Sequence, residues 1–139
     1  MTPPPRRFLP YGRQQIGDDD VAAVTEVLRG DALTTGPKVT DFEQALAETT
    51  GASHAVACSG GTAALHLAAM ALDLGPGDKV VVPALTFLAT ANVVRMTGAE
   101  VVFADVDPAT GLMRPQELSA ALGREGSETV RAVFPVHYA

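Results

Sequence analysis

Tryptophan is absent from this chain of 139 residues, cysteine occurs once, and lysine occurs only at Lys38 and Lys79. A lone cysteine, Cys58, excludes an internal disulfide and fits a reducing compartment, so a cytoplasmic location is expected. The three histidines, His54, His66 and His137, lack metal-ligand spacing, and no metal centre is expected from them. Basic residues are outnumbered by acidic ones, 10 to 16, for a net charge of −6. They are also scattered, which disfavours a nucleic-acid partner, because phosphate backbones call for clustered Lys and Arg. The one basic pair, Arg6-Arg7, sits in a proline-rich leader, residues 1–12, that lacks the apolar stretch of a signal peptide. No apolar run approaches the about 18 residues of a membrane-spanning helix.

Hydrophobic residues make up 47% of the chain and charged residues 19%, enough for a buried core. Helical spacing comes first. Asp18, Asp19 and Asp20 offer N-cap and first-turn carboxylates, Val21, Val24 and Leu28 follow at helical intervals, and Gly30 ends the run. A second helix is marked by Val39, Phe42 and Leu46 and closed by Gly51. From His54 onward, short apolar runs at residues 54–58, 79–83, 100–104 and 130–136 read as strands. Helical segments at 62–72, 86–97 and 115–122 separate them. None of the runs shows the polar alternation of a half-wet strand, so the pattern predicts a mainly parallel, doubly wound α/β sheet covered on both faces. The chain ends on the apolar run Phe134-Pro135-Val136-His137-Tyr138-Ala139 with no helix to cover it, which reads as part of a longer protein.

Ser59-Gly60-Gly61-Thr62 stands between a predicted strand and a predicted helix. Such a turn aims unbonded backbone N–H groups and the positive end of a helix dipole at one point, and the Thr62 hydroxyl adds a donor, so a phosphate fits. A plain turn capped by Thr62 explains the same letters. Neither a Walker loop nor a dinucleotide fingerprint is present, which ranks a nicotinamide dehydrogenase low. Phe87 falls where a ring can stack on a flat cofactor at the carboxyl end of the sheet, although composition alone favours core packing. Cys58 reads as a buried structural thiol and His66 as a core residue. Asp105 and Asp107 read as turn caps. Neither lysine shows the apolar burial that lowers a lysine pKa.

Several stretches together carry a resemblance. Tyr11-Gly12-Arg13-Gln14, Leu33-Thr34-Thr35-Gly36-Pro37, Ser59-Gly60-Gly61-Thr62-Ala63-Ala64-Leu65-His66, the run from Pro83 to Asn92, Phe103-Ala104-Asp105-Val106-Asp107 and Pro135-Val136-His137-Tyr138-Ala139 resemble the ordered opening of the DegT/StrS sugar aminotransferases. The Pro-Tyr-Gly-Arg-Gln opening is most similar to the PseC branch, which aminates C4 of a UDP-linked 4-keto-6-deoxy-HexNAc on the way to pseudaminic acid. The resemblance implies a pyridoxal-phosphate-dependent transferase of fold type I, with an aspartate-aminotransferase-like large domain, a smaller C-terminal domain and a homodimer. It implies that residues 13–139 are the first portion of the large domain.

By position, the resemblance implies that Gly61, Thr62 and Ala63 hold the cofactor phosphate and Phe87 stacks on its ring, with Tyr11, Asp31, Ala32, Leu33 and Thr34 lining a sugar-nucleotide pocket. Family members often carry Asn or Ser where this chain has Gly60. The Schiff-base lysine and the aspartate that pairs with the pyridine nitrogen fall downstream of the Val-His-Tyr-Ala stretch. The expected reaction is transfer of an amino group, with glutamate as donor, to a keto sugar, and this chain alone is expected to be inactive. Two other readings remain open: a sugar dehydratase of the same fold that uses a histidine in place of the lysine, and a non-catalytic phosphate-binding fragment.

Overall fold

The computed structural model describes residues 12–137. The chain divides in sequence between Ala57 and Cys58 into two compact units.

The first unit holds two helices. Helix α1 spans Asp18–Arg29, and its N-cap is Gly17 rather than Asp18. The backbone N–H of Gly17 donates to Asp20 Oδ2 at 2.8 Å, so the acid three residues into the helix secures the entry. All three aspartates therefore lie in the first turn, where their charge favours the positive end of the dipole. Helix α2, Pro37–Thr50, starts with proline at its first position and stops at Gly51, whose φ of 72° is the left-handed conformation glycine adopts without penalty. The run 54–58 forms no strand. Apolar letters alone do not make one, since a strand needs a ladder partner, and none pairs with this run among the described residues. Instead Ala57 N–H donates to Glu43 Oε1 at 2.8 Å, and Val56 is exposed.

The second unit is a three-stranded parallel sheet, β1 Lys79–Pro83, β2 Glu100–Ala104 and β3 Val130–Val133, in the order β2-β1-β3. Helix α3 (Gly61–Ala71) precedes β1, α4 (Leu88–Met96) joins β1 to β2, and α5 (Pro115–Glu125) with a short 3-10 turn joins β2 to β3. Successive strand residues face opposite sides. Val80 and Val82 pack with Ala69 of α3 and Val94 of α4, while Val81 packs with Ala121 of α5. Coverage on both faces is the doubly wound arrangement expected of the unbroken Val80-Val81-Val82 run, and all three side chains are fully buried. Pro83, which has no N–H to give, closes the strand, and Ala84 N–H then donates to Ala104 O at 2.8 Å. Phe134 packs against the Val80 and Val82 side of the core, and its N–H donates to Val81 O at 2.9 Å, so part of the apolar C-terminal run is covered.

Two ion pairs tie the amino ends of the strands. Lys79 Nζ lies 2.7 Å from Glu125 Oε2, joining the start of β1 to the last turn of α5. Arg131 Nε lies 3.6 Å from Asp78 Oδ1, and Arg131 is the extra residue where the β1–β3 register shifts. The Arg124 guanidinium donates to Phe103 O on β2 at 2.9 Å.

Arg114 grips two carboxylates at the start of α5. Its guanidinium donates to Glu117 Oε1 at 2.6 Å and pairs with Asp107 Oδ2 at 2.5 Å. The Arg114 hydrogen bond holds the Glu117 carboxyl down at about 2. Asp107 is lowered first by the N–H of Thr110 and also by that of Ala109, confirming its place as a turn cap. Groups lowered on folding stabilise the fold above their unfolded range of about 4, and that contribution disappears as pH falls toward about 2. Arg114→Ala is therefore expected to shift the acid unfolding transition upward, toward the ordinary carboxylate range, in a pH titration followed by far-UV circular dichroism. An unchanged midpoint would remove Arg114 from that role.

Candidate functional site

The glycine turn opens α3. Gly60 is the N-cap, with φ 166° and ψ 173°, an extended backbone open to any residue. The first helical bond runs from Ala64 N–H to Gly60 O at 3.0 Å. The N–H groups of Gly61, Thr62 and Ala63 thus lack a carbonyl one turn back, and they make no hydrogen bond among the described residues. Thr62 is exposed and does not cap the helix, so its hydroxyl is also available. A methyl group built on Gly60 or Gly61 would meet no atom within 4 Å, which leaves the approach to these donors open. Unused donors, an open approach and a positive dipole end suit a phosphate group, and they weaken the reading as a plain capped turn.

Helix α3 packs against α4, which in turn covers β1 and β2. The short link 72–78 returns the chain from the end of α3 to the start of β1, so α3 runs back along the strands and its first turn lies toward their carboxyl ends. From β1 the chain leaves to β2 through α4 on one face, then passes through α5 on the other face to β3 on the far side of β1. The strand order therefore reverses at β1, and ligands of open α/β sheets bind beyond the carboxyl ends at such a reversal.

Phe87 stands there. It is the N-cap of α4, not a helical residue, and its side chain is 76% exposed. The ring is outside the core that composition alone favoured, because the extended N-cap backbone (φ −66°, ψ 140°) carries it off the packed face of α4. On either side of it, Thr86 Oγ1 donates to Thr90 Oγ1 at 2.8 Å. The Thr86-to-Thr90 spacing of four is a legible helical interval, yet sequence reading singled out only the phenylalanine between them.

Other expected residues fall differently. Cys58 is exposed, since no strand forms around it, and its Sγ donates to Gly60 O at 3.5 Å. His66 is half-buried on α3 rather than in the core. Tyr11 lies outside the described residues. Asp31, Ala32 and Leu33 line a cleft of about 370 Å³ in the first unit, together with Val27, Gly30 and Gly36. Thr34 is not among its lining residues, and its carbonyl accepts from the Thr35 hydroxyl at 2.8 Å. Gly36 lies close to Ala32: a Cβ there would come to 3.0 Å from Ala32 Cβ and 3.2 Å from Ala32 O, so a larger residue would need the loop to give slightly. Lys79 is occupied by Glu125, whose hydrogen bond raises the Lys79 pKa. Lys38 is exposed at the second position of α2. Among the described residues no cluster of His, Cys, Asp and Glu is arranged to hold a metal ion, and no helix is long and apolar enough to cross a membrane.

The profile of the DegT/DnrJ/EryC1/StrS aminotransferase family matches residues 14–139. Among solved structures, the chain is similar to a protein of Streptococcus pneumoniae described as a sugar aminotransferase. Its PLP form is 32% identical with a TM-score of 0.80, over 90% of this chain and 31% of that one, and its PMP form is also 32% identical with a TM-score of 0.81. A DegT/DnrJ/EryC1/StrS aminotransferase from Brucella abortus is 42% identical, with a TM-score of 0.73, over 83% of this chain and 32% of that one. A 3-amino-5-hydroxybenzoic acid synthase is 34% identical, with a TM-score of 0.79, over 90% and 32%. The chain thus spans about a third of the length of each of these proteins.

Proposed function

The chain belongs to the DegT/DnrJ/EryC1/StrS aminotransferase family, and from that premise we propose that it supplies the phosphate cradle and the stacking ring of a pyridoxal-phosphate-dependent enzyme that aminates a nucleotide-linked keto sugar. The observation that carries this reading is the first turn of α3, where three backbone N–H groups and the Thr62 hydroxyl are unused beside open space. Gly61, Thr62 and Ala63 hold the dianionic phosphate with charge-assisted hydrogen bonds, reinforced by the dipole of α3. The exposed Phe87 ring covers one face of the pyridine and keeps water from it. When bound, the cofactor supplies the electron sink that amino transfer requires.

Tyr11 and the Asp31-Ala32-Leu33-Thr34 segment line the sugar-nucleotide pocket in this proposal. The cleft at Asp31 to Leu33 supports it for those residues. The Pro10-Tyr11-Gly12-Arg13-Gln14 opening favours a UDP-linked 4-keto-6-deoxy-HexNAc, aminated at C4 with glutamate as donor on the way to a nonulosonic acid such as pseudaminic acid. The working form is a cytoplasmic homodimer in which residues 13–139 begin the large domain.

The reactive lysine is not one of these 139 residues. Lys79 is engaged by Glu125 with a raised pKa, the opposite of what a nucleophilic amine needs, and Lys38 lies on an exposed helix in the other unit. Incubating the 139-residue chain with pyridoxal phosphate and borohydride is therefore expected to give no stoichiometric adduct at a single lysine, read by peptide mass mapping. One fully modified lysine accompanied by amino-transfer turnover would overturn the assignment of this chain as inactive alone.

A further inference from the structure

Phenylalanine is a poor N-cap, because its side chain has no oxygen to accept from the first-turn N–H groups, and α4 has no side-chain cap bond. Something else must hold the chain extended at Phe87. Two contacts straddle that residue. Thr90 N–H donates to Phe87 O at 3.0 Å, and the Thr86 hydroxyl, one position before the N-cap, donates to the Thr90 hydroxyl at 2.8 Å. Thr90 is only 6% exposed and Thr86 is half-buried, so the hydroxyl pair is anchored in the packed side of α4 while the ring between them is 76% exposed. A hydroxyl as buried as that of Thr90 does not readily give up its partner, so the pair restrains the backbone between Thr86 and Thr90.

We infer that Thr86 and Thr90 form a latch that positions the Phe87 ring for stacking on a planar ligand at the carboxyl end of β1. Both are positioning residues: they act through the backbone of Phe87 and do not touch the ligand. An exposed aromatic ring on a free loop would sample several rotamers and lose much of its stacking in ordering itself; the latch removes backbone freedom from that loss before the ligand arrives. The inference rests on the cofactor reading of Phe87, and the test separates the two.

Pyridoxal phosphate affinity and the induced circular dichroism of the bound cofactor are measured for wild type, Phe87→Ala, Thr86→Val, Thr86→Ser and the Thr86→Val/Phe87→Ala double variant, in the longest form of the protein available. Thermal unfolding is recorded for each. Thr86→Val is expected to weaken binding about fivefold, the equivalent of one neutral hydrogen bond, and to diminish the induced signal. Thr86→Ser restores both, and in the Phe87→Ala background Thr86→Val has no further effect on affinity. Thr90→Val breaks the same bond from its other side and gives the same result where Thr86→Val folds poorly. A loss of thermal stability with affinity and induced signal unchanged would overturn the latch, as would an equal loss of affinity in the Phe87→Ala background. Phe87→Ala binding as tightly as wild type overturns the stacking assignment, and the latch with it.

Discussion

Thr62→Asp is expected to leave the fold intact and to weaken binding of pyridoxal phosphate by about a hundredfold or more. The two halves of that result come from the same position. Thr62 is the second residue of α3, so a carboxylate there meets the positive end of the helix dipole and favours the helix by about 0.3–1 kcal/mol. The same carboxylate removes a hydroxyl donor, competes for the unbonded N–H groups of Gly61 and Ala63, and stands against a phosphate dianion. A lost hydrogen bond to a charged group is worth roughly 1.5–3 kcal/mol, about ten- to a hundredfold in affinity, before repulsion is added. Thr62→Ser, which keeps the hydroxyl, is expected to bind within a few-fold of wild type. Melting curves and a cofactor titration by absorbance read both quantities. Undiminished binding by the aspartate variant would show that the phosphate is held elsewhere.

Val81→Asp is expected to unfold the second unit outright. Val81 is the middle residue of the middle strand, with no exposed surface, and its neighbours on the α5 face are Val102, Ala104 and Ala121. A carboxylate among them finds no cation and no donor, so it either stays charged at a cost of several kcal/mol or takes up a proton with its pKa driven upward. Domains of this size are stable by roughly 5–15 kcal/mol, and the central strand has no alternative register that removes the group from the core. Val81→Ala, which only leaves a cavity, is expected to cost about 2 kcal/mol. Urea unfolding distinguishes the two, and a similar midpoint for both variants would mean that the Val81 site admits water.

What the sequence disclosed about the fold was the part governed by local rules. Val80-Val81-Val82 is apolar without alternation, and only a strand covered on both faces satisfies that. The glycine turn and the helix after it were legible because a helix start is set by a few adjacent residues. The 54–58 run was misread because its letters match a strand while ladder pairing is a matter of partners. The exposures of Cys58 and Phe87 likewise depend on what packs beside them, which side-chain type does not fix. At α1 the acid-rich signature was right in kind and one residue late in place: the N-cap is Gly17, and the acid's part is reversed, since the Asp20 carboxylate accepts from the Gly17 N–H instead of an aspartate cap accepting from the first turn.

The same dependence on partners gives the Arg124 contact a meaning for solubility. Strand β2 is an edge of the sheet among the described residues, and Phe103 on it is 54% exposed. An edge with open carbonyls and an apolar side chain invites a strand from another molecule, the first step of aggregation. Ala104 O faces β1, where it accepts from Ala84 N–H, so by strand alternation the carbonyls of Val101 and Phe103 face outward, where an incoming strand would seek acceptors. The Arg124 guanidinium occupies the Phe103 carbonyl and places a full positive charge beside it. A residue in the last turn of α5 thereby takes one of the edge's outward acceptors and sets a charge there, a device of the kind that discourages edge-to-edge pairing.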